Sequence, residues 1–392
     1  MATSDRLLPV HKRFDVTFSH GEGVYLFDKN KKYLDFGAGI AVNALGHCHP
    51  KMVDAITNQA KKLWHVSNIY NGNELNLYAE KLVSNYGFDY VFFCNSGAEA
   101  NECAIKMIRR HFYVGGKPQK NRIITFTGAF HGRTIATISA ASKEKYLEGF
   151  KPALEGFDNV EFGNIDAVRK AITENTAGIL IEPIQGEEGI KVADKKFLHN
   201  LRELCDEFNL LLAFDEVQCG MGRTGYLGAY EYFGAKPDVI SLAKAIGGGF
   251  PLGACLATKD AAKGMTFGVH GTTYGGNPLA MAVADAVLSV MTAPNFLENV
   301  KKNSALLKKN LEEIKNENPD LVDEIRGVGF MLGIKLNQKI DNLQFVAKLI
   351  ENGLLVVAAG ENVIRILPPL IVEEKHIFEA CEKIKITLKN FI

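Results

Sequence analysis

Lys244 stands where an apolar, strand-like run, Asp238-Val239-Ile240-Ser241-Leu242-Ala243, gives way to the glycine cluster Gly247-Gly248-Gly249. An ammonium at that position costs desolvation energy unless it is paired or its pKa falls. A lysine whose pKa has fallen is a nucleophile, able to form a Schiff base with a carbonyl. Asp215 closes a second apolar run, Leu210-Leu211-Leu212-Ala213-Phe214. A lysine and a carboxylate, each at the C-terminal end of a strand, make the pair that holds pyridoxal phosphate: the lysine takes the aldehyde and the aspartate partners the pyridinium nitrogen.

Further stretches read as parts of the same pocket, each with a plainer alternative. Asn95-Ser96-Gly97-Ala98-Glu99 lies at a strand-to-helix turn. Ser96 and Glu99 fit a capping box, and Gly97 lets backbone approach a ligand whose phosphate the helix N-terminus would attract. The alternative is an ordinary capped helix. The stretch matches neither the GxxxxGK[ST] nor the GxGxxG nucleotide pattern. In Phe130-His131-Gly132-Arg133-Thr134, Phe130 suits stacking on a flat ring and Arg133 offers a planar fork for a carboxylate. A core phenylalanine and a solvated arginine are the competing reading. After Asp215 come Glu216, Val217 and Gln218. Val217 is placed to pack on a ring face opposite Phe130, and Gln218 to reach a ring hydroxyl.

Glu182 and Glu187 lie in a Gly/Pro loop, Glu182-Pro183-Ile184-Gln185-Gly186-Glu187-Glu188-Gly189, with Glu188 read as loop surface. A pocket carboxylate there would neutralise an arginine when a neutral substrate group is bound. His270-Gly271-Thr272-Thr273-Tyr274-Gly275-Gly276-Asn277-Pro278 carries two threonine hydroxyls for a phosphate, or is simply a glycine-rich turn capping the next helix. His47-Cys48-His49-Pro50 reads as a turn before a Pro-started helix, and no metal site is expected.

These residues need a scaffold that brings strand ends together. Strands are expected over 90–95, 122–127, 178–182, 210–215, 238–243 and 253–257. Helical patterns cover 98–112, 165–173 and 196–208, between most of those strands. The alternation predicts an α/β unit with a mostly parallel sheet, whose ligands bind beyond the strands' C-terminal ends. A long helix with small residues is expected over 278–291; beyond it, helices over 296–317, 342–352 and 373–388 and strand-like stretches over 325–336, 354–358 and 363–366 suggest a small α+β domain. Short strands over 23–27 and 32–36 flank an Asp28-Lys29-Asn30 turn. The expected division is 1–50, joining the small domain, 51–292, the large cofactor-binding domain, and 293–392, the small domain.

At 392 residues, with 47% hydrophobic and 23% charged, the chain has the composition of a globular enzyme. Lys+Arg and Asp+Glu both number 45, so net charge gives no electrostatic reason for a nucleic-acid or anionic-membrane partner. No apolar run approaches the roughly 20 residues of a bilayer span. Met1 to Pro9 lacks a signal-peptide core, so a cytoplasmic location is expected. The seven cysteines are scattered and never spaced CxxC, which reads as free thiols.

Taken together, Gly37–Pro50, Asn95–Glu102, Phe130–Thr134, Glu182–Glu187, Asp215–Gly225, Ser241–Gly253, Gly271–Pro278 and Arg365–Leu370 resemble the class III branch of the pyridoxal-phosphate aminotransferases. Within the branch the chain is most similar to the acetylornithine-using members. The resemblance implies a fold-type I transferase and amino transfer from N2-acetylornithine to 2-oxoglutarate, which leaves as glutamate. It implies that Lys244 carries the cofactor and Gly97 and Ala98 hold its phosphate. Phe130 would stack on the ring, and Asp215 would pair with its nitrogen. Glu216, Val217 and Gln218 would complete the cofactor site. Thr273 would reach the cofactor of the other subunit in a homodimer with shared sites. Arg133 and Thr272 would face acetylornithine, and Arg365 would bind glutamate's α-carboxylate, with Glu187 as its partner in the other half-reaction. One departure is His11, where the family often has a tyrosine; its absence tilts the reading away from free ornithine. Ornithine, succinylornithine, succinyl-diaminopimelate and 4-aminobutyrate stay as alternative donors. An aminomutase and a phosphate-binding scaffold are the rivals outside this reaction.

Overall fold

The apolar runs become a central sheet whose inner strands are buried on both faces. The structure, a computed structural model, describes residues 6–391, so the start of the Met1–Pro9 segment lies outside it. Seven strands form the sheet: β1 (Tyr90–Cys94), β2 (Arg122–Phe126), β3 (Phe157–Val160), β4 (Thr176–Ile181), β5 (Leu211–Asp215), β6 (Val239–Leu242) and β7 (Gly253–Ala257). Their spatial order is β1-β7-β6-β5-β4-β2-β3. Every neighbouring pair is parallel except those of β7, which runs antiparallel to both β6 and β1.

Alternation along β5 shows how both faces are covered. Leu212 and Phe214 share a core with Leu198, Leu201 and Leu204 of the Lys195–Phe208 helix. Leu211 and Ala213 point the other way, into a core with Cys103 and Ile108 of the Gly97–Val114 helix. Local signals set the helix ends. Asp194 caps the first helix by accepting from the Lys196 N–H at 2.8 Å, and Asn209 ends it in the left-handed region, φ 49°. Ser96 Oγ caps the second by accepting from the Glu99 N–H at 3.2 Å. The helices Pro278–Met291 and Phe296–Glu317 run over the spans the periodicity predicts.

A second, antiparallel sheet joins Val322–Val328, Met331–Leu336, Val363–Ile366 and Val357–Ala359 in that order. The expected stretch 325–336 is a hairpin, turned at Gly329, whose φ of 57° is a conformation that side chains disfavour. The expected strand 354–358 is two. Leu354–Leu355 pairs in parallel with Lys32–Asp35, while Val357–Ala359 pairs with Val363–Ile366. Which partner a residue finds is decided by the backbone across the sheet, and local pattern cannot report it. Strand β3 was not expected: Phe-Asp-Asn-Val is a half-buried edge strand with polar residues at its centre. His47-Cys48-His49 forms the turn before the Pro50–Ala60 helix, with His47 Nε2 2.8 Å from Asp35 Oδ2. Among the described residues no single helix is long and apolar enough to cross a membrane.

Strand β7 passes close to the loop that starts the Gly97–Val114 helix. A Cβ at residue 253 would lie 2.4 Å from the Ser96 carbonyl oxygen and 2.9 Å from Cys94 Sγ. Gly253→Ala should therefore destabilise the fold by about 1–3 kcal/mol through overpacking. Chemical denaturation checks it, and an unchanged midpoint would show that the strand can shift freely.

Candidate active site

Strand β5 ends in Asp215, and the parallel register sets Asp215 beside Ser241 of β6. Lys244 follows three residues on, as the first residue of the short 3-10 turn Lys244–Ile246 and at φ 50°, an uncommon conformation for a lysine. The two side chains line one cavity of about 310 Å³. Ser96, Gly97, Ala98, Phe130, Val217 and Gln218 line it as well, so residues scattered over 150 positions of sequence converge on one space.

Asp215 is only 3% exposed, and its carboxylate is held from three sides. Oδ2 accepts from Asn101 Nδ2 at 2.7 Å and lies 2.8 Å from His131 Nδ1; Oδ1 accepts from the Val217 N–H at 3.0 Å. Asn101 in turn donates to the His131 carbonyl at 2.9 Å. A second buried carboxylate, Glu182, accepts from the Phe130 N–H at 2.7 Å. Burial, and then the neighbouring Asp215 charge, push the Glu182 carboxyl well above the ordinary range. Lys244 lines the cavity and is partly buried. That burial, with the nearby Arg365 cation, lowers its ammonium to about 8, against the opposing pull of Glu187, Glu182 and Asp215.

Arg365 reaches the site from the second sheet. It is 2% exposed; its Nη1 lies 2.7 Å from Glu187 Oε1 and 3.4 Å from Gln218 Oε1, and Nη2 donates to the Ala358 carbonyl at 3.3 Å. Its Nε has no hydrogen-bond partner among the described residues.

The remaining expected residues fall in three places. Glu216 is turned away from the cavity: its carboxylate accepts from the Ala229 and Tyr230 N–H groups, 2.7 Å each, and so caps the Ala229–Phe233 helix. Side chains alternate along an extended segment, so neighbours of Asp215 leave in opposite directions; burial raises the Glu216 carboxyl to about 8. Arg133 is exposed beside the cavity, its guanidinium over the rings of Tyr146 and Phe130. Thr272 and Thr273 line a different cleft, with Asn95, Glu99 and His270, and not the Lys244 cavity of their own chain. Thr272 Oγ1 there accepts from the Gly275 N–H at 3.1 Å. His11 is exposed.

Asn101 and His131 went unassigned in the sequence reading. Each sits inside a stretch singled out for another residue, and only the fold brings both onto Asp215.

The cavity suits pyridoxal phosphate. The first N–H groups of the Gly97–Val114 helix face it without intrahelical acceptors. A Cβ at residue 97 would fall 2.7 Å from Val217 Cγ1, so glycine alone fits that wall. A buried, hydrogen-bonded carboxylate lies within it, with a lysine of lowered pKa.

Such a constellation on a mostly parallel sheet defines an aminotransferase of fold type I, and the class III aminotransferase family pattern matches residues 9–388. The chain belongs to that family, and it is a pyridoxal-phosphate-dependent transaminase acting on amino-acid and keto-acid substrates. It is 55% identical over 379 residues to the acetylornithine aminotransferase of Mesorhizobium japonicum, covering 96% of this chain and 94% of that one. Among solved structures it is similar to N-acetylornithine aminotransferase from Stenotrophomonas maltophilia, with TM-score 0.84, 37% identity and 96% of each chain covered. It is also similar to ornithine aminotransferase from Toxoplasma gondii, a structure with partial occupancy of pyridoxal phosphate, with TM-score 0.92, 31% identity and 97% and 92% covered.

The lowered Lys244 pKa has a kinetic consequence. The nucleophile is the neutral amine. With a pKa of about 8, about a tenth of the side chain is neutral at pH 7, against less than about a thousandth for an ordinary lysine. Capture of pyridoxal phosphate by the apoprotein should accelerate as pH rises toward about 8 and level off above it. Stopped-flow absorbance measures this, and a rate still climbing steeply toward the ordinary lysine range contradicts the assignment.

Proposed function

We propose that the protein transfers the δ-amino group of N2-acetyl-L-ornithine to 2-oxoglutarate, forming N-acetylglutamate semialdehyde and glutamate, as a cytoplasmic step of arginine biosynthesis. The observation that carries this reading is the Arg365–Glu187 pair, with Arg365 3.4 Å from Gln218 Oε1, a residue that lines the cavity of Lys244 and Asp215. High identity to acetylornithine aminotransferases supports the choice of donor.

Bound pyridoxal phosphate supplies an aldehyde for amine exchange and a ring that accepts the electrons of a developing carbanion. Lys244 holds the aldehyde carbon and, once released, moves a proton to and from the substrate carbon that bears the amine. Asp215, fixed by Asn101, His131 and the Val217 N–H, keeps a ring nitrogen charged. Gly97 and Ala98 would receive the phosphate on backbone N–H groups, Phe130 and Val217 would contact the ring, and Gln218 would reach its hydroxyl; all five line the cavity. Glu216 acts one step removed, by capping the Ala229–Phe233 helix after the Asp215 loop.

Two substrates must use one pocket in turn. With acetylornithine bound, Glu187 neutralises Arg365 while Arg133 faces the donor; Thr272, which lies outside its own chain's cavity, faces the donor in the partner subunit's site. With 2-oxoglutarate or glutamate bound, the α-carboxylate replaces Glu187 on Arg365. Such an exchange suits Glu187, whose side chain is 27% exposed, better than Arg365, at 2%. Thr272 and Thr273 lie outside their own chain's cavity, in a cleft with the exposed Tyr274; Asn68, which donates to the Thr272 carbonyl at 3.1 Å, stands in a stretch whose Trp64, Ile69 and Tyr70 are exposed. This apolar surface is the seam of a homodimer, across which Thr273 meets the partner's cofactor phosphate. Residues 51–292 form the cofactor-binding unit, and 1–50 with 293–392 the smaller unit that brings Arg365.

Initial rates with 2-oxoglutarate as acceptor test the donor. Acetylornithine should exceed free ornithine and 4-aminobutyrate in kcat/KM by about tenfold or more. Ornithine equal to or better than acetylornithine would overturn the assignment. Arg365→Lys keeps the charge but loses the fork. It should raise KM for 2-oxoglutarate by about 10- to 100-fold, a loss of charge-assisted hydrogen bonding, and move KM for the donor far less.

A further inference from the structure

Arg133 makes no ion pair among the described residues, and its contacts are with two aromatic rings. The guanidinium carbon lies 4.1 Å from the centroid of the Tyr146 ring and 5.5 Å from that of Phe130. The rings meet each other edge to face, centroids 6.0 Å apart at 84°. Tyr146 comes from the single-turn helix Glu144–Leu147, anchored by Leu147, which is buried. Lys143, on the same turn, has its ammonium 5.8 Å from the Tyr146 ring and is tied to Glu188 at 2.6 Å. That second cation is thus engaged by a carboxylate, and the ring face is left to Arg133. The Tyr146 hydroxyl makes no hydrogen bond among the described residues.

An exposed arginine carries about 2 kcal/mol of rotamer entropy, which it must give up to hold a substrate. A guanidinium resting on an aromatic face has given up part of it beforehand, while its in-plane N–H edge stays free for a carboxylate. We propose that Tyr146 is a positioning, specificity-determining residue: its ring holds Arg133 beside the ring of Phe130, aimed to receive the carboxylate of the amino donor. The inference rests on the reading of Arg133 as the donor's carboxylate receiver. It favours donors that carry a carboxylate remote from the reacting amine over those that lack one.

The test compares holoenzyme variants on two donors, acetylornithine and N-acetylputrescine, the same acylated chain without the carboxylate. Tyr146→Leu should lower kcat/KM for acetylornithine about three- to tenfold, the scale of a partly exposed cation–π contact. The loss should appear in KM, with the N-acetylputrescine rate unchanged. Tyr146→Phe, which keeps the ring face, should restore the acetylornithine value. In an Arg133→Ala background, Tyr146→Leu should cost nothing further. An equal loss on both donors, a failed rescue by phenylalanine, or losses that multiply in the double variant would overturn the role of Tyr146 alone. An Arg133→Ala enzyme that handles acetylornithine normally would overturn the reading of Arg133 and this inference with it.

Discussion

A carboxylate that stays buried next to a lysine is the constraint around which this molecule is arranged. Asp215 is closed off from water, and it can be kept there only by donors that replace its hydration. The structure brings those donors from three segments: Asn101 from the helix after β1, His131 from the loop after β2, and the backbone of Val217. The arrangement also leaves Asn101 Oδ1 and His131 Nε2 buried without hydrogen-bond partners among the described residues. Polar groups of this kind are tolerated where pre-organisation matters more than stability.

The surrounding charges act against one another. Three carboxylates, Glu187, Glu182 and Asp215, pull the Lys244 pKa upward, yet burial and the Arg365 cation prevail. The same enclosure drives Glu182 toward its neutral form. Dehydration thus decides the sign for both a base and an acid that line one cavity, and pairing only moderates it. Lys244 also sits at positive φ, where a side chain pays about 1 kcal/mol or more in backbone strain. The β6 strand on one side and the glycine cluster on the other hold it there.

Arg365 and Glu187 link the two sheets. The arginine stands on Val363–Ile366 of the second sheet, and the glutamate lies in the loop after β4 of the first. Their ion pair is therefore an interface contact that reaches the cavity through Gln218, which lines it. A buried arginine and a more accessible glutamate make an asymmetric pair, in which one partner is fixed and the other can be displaced.

Much of this could be read from the chain. The apolar runs before Asp215 and Lys244, the cap at Ser96, the alternation of strands and helices, and the spans 278–291 and 296–317 all follow from short-range rules. Periodicity, caps and the cost of ending a buried run in a charge act within a few residues. The tertiary structure alone decided other matters. It turned Glu216 away to a helix end and gave Asn101 and His131 to Asp215. It split 354–358 between two sheets, laid Arg133 on Tyr146, and separated Thr272 and Thr273 from the Lys244 cavity. Each of these depends on which distant segment arrives alongside, and on the direction a side chain takes once its backbone is paired. The local pattern of a sequence carries neither.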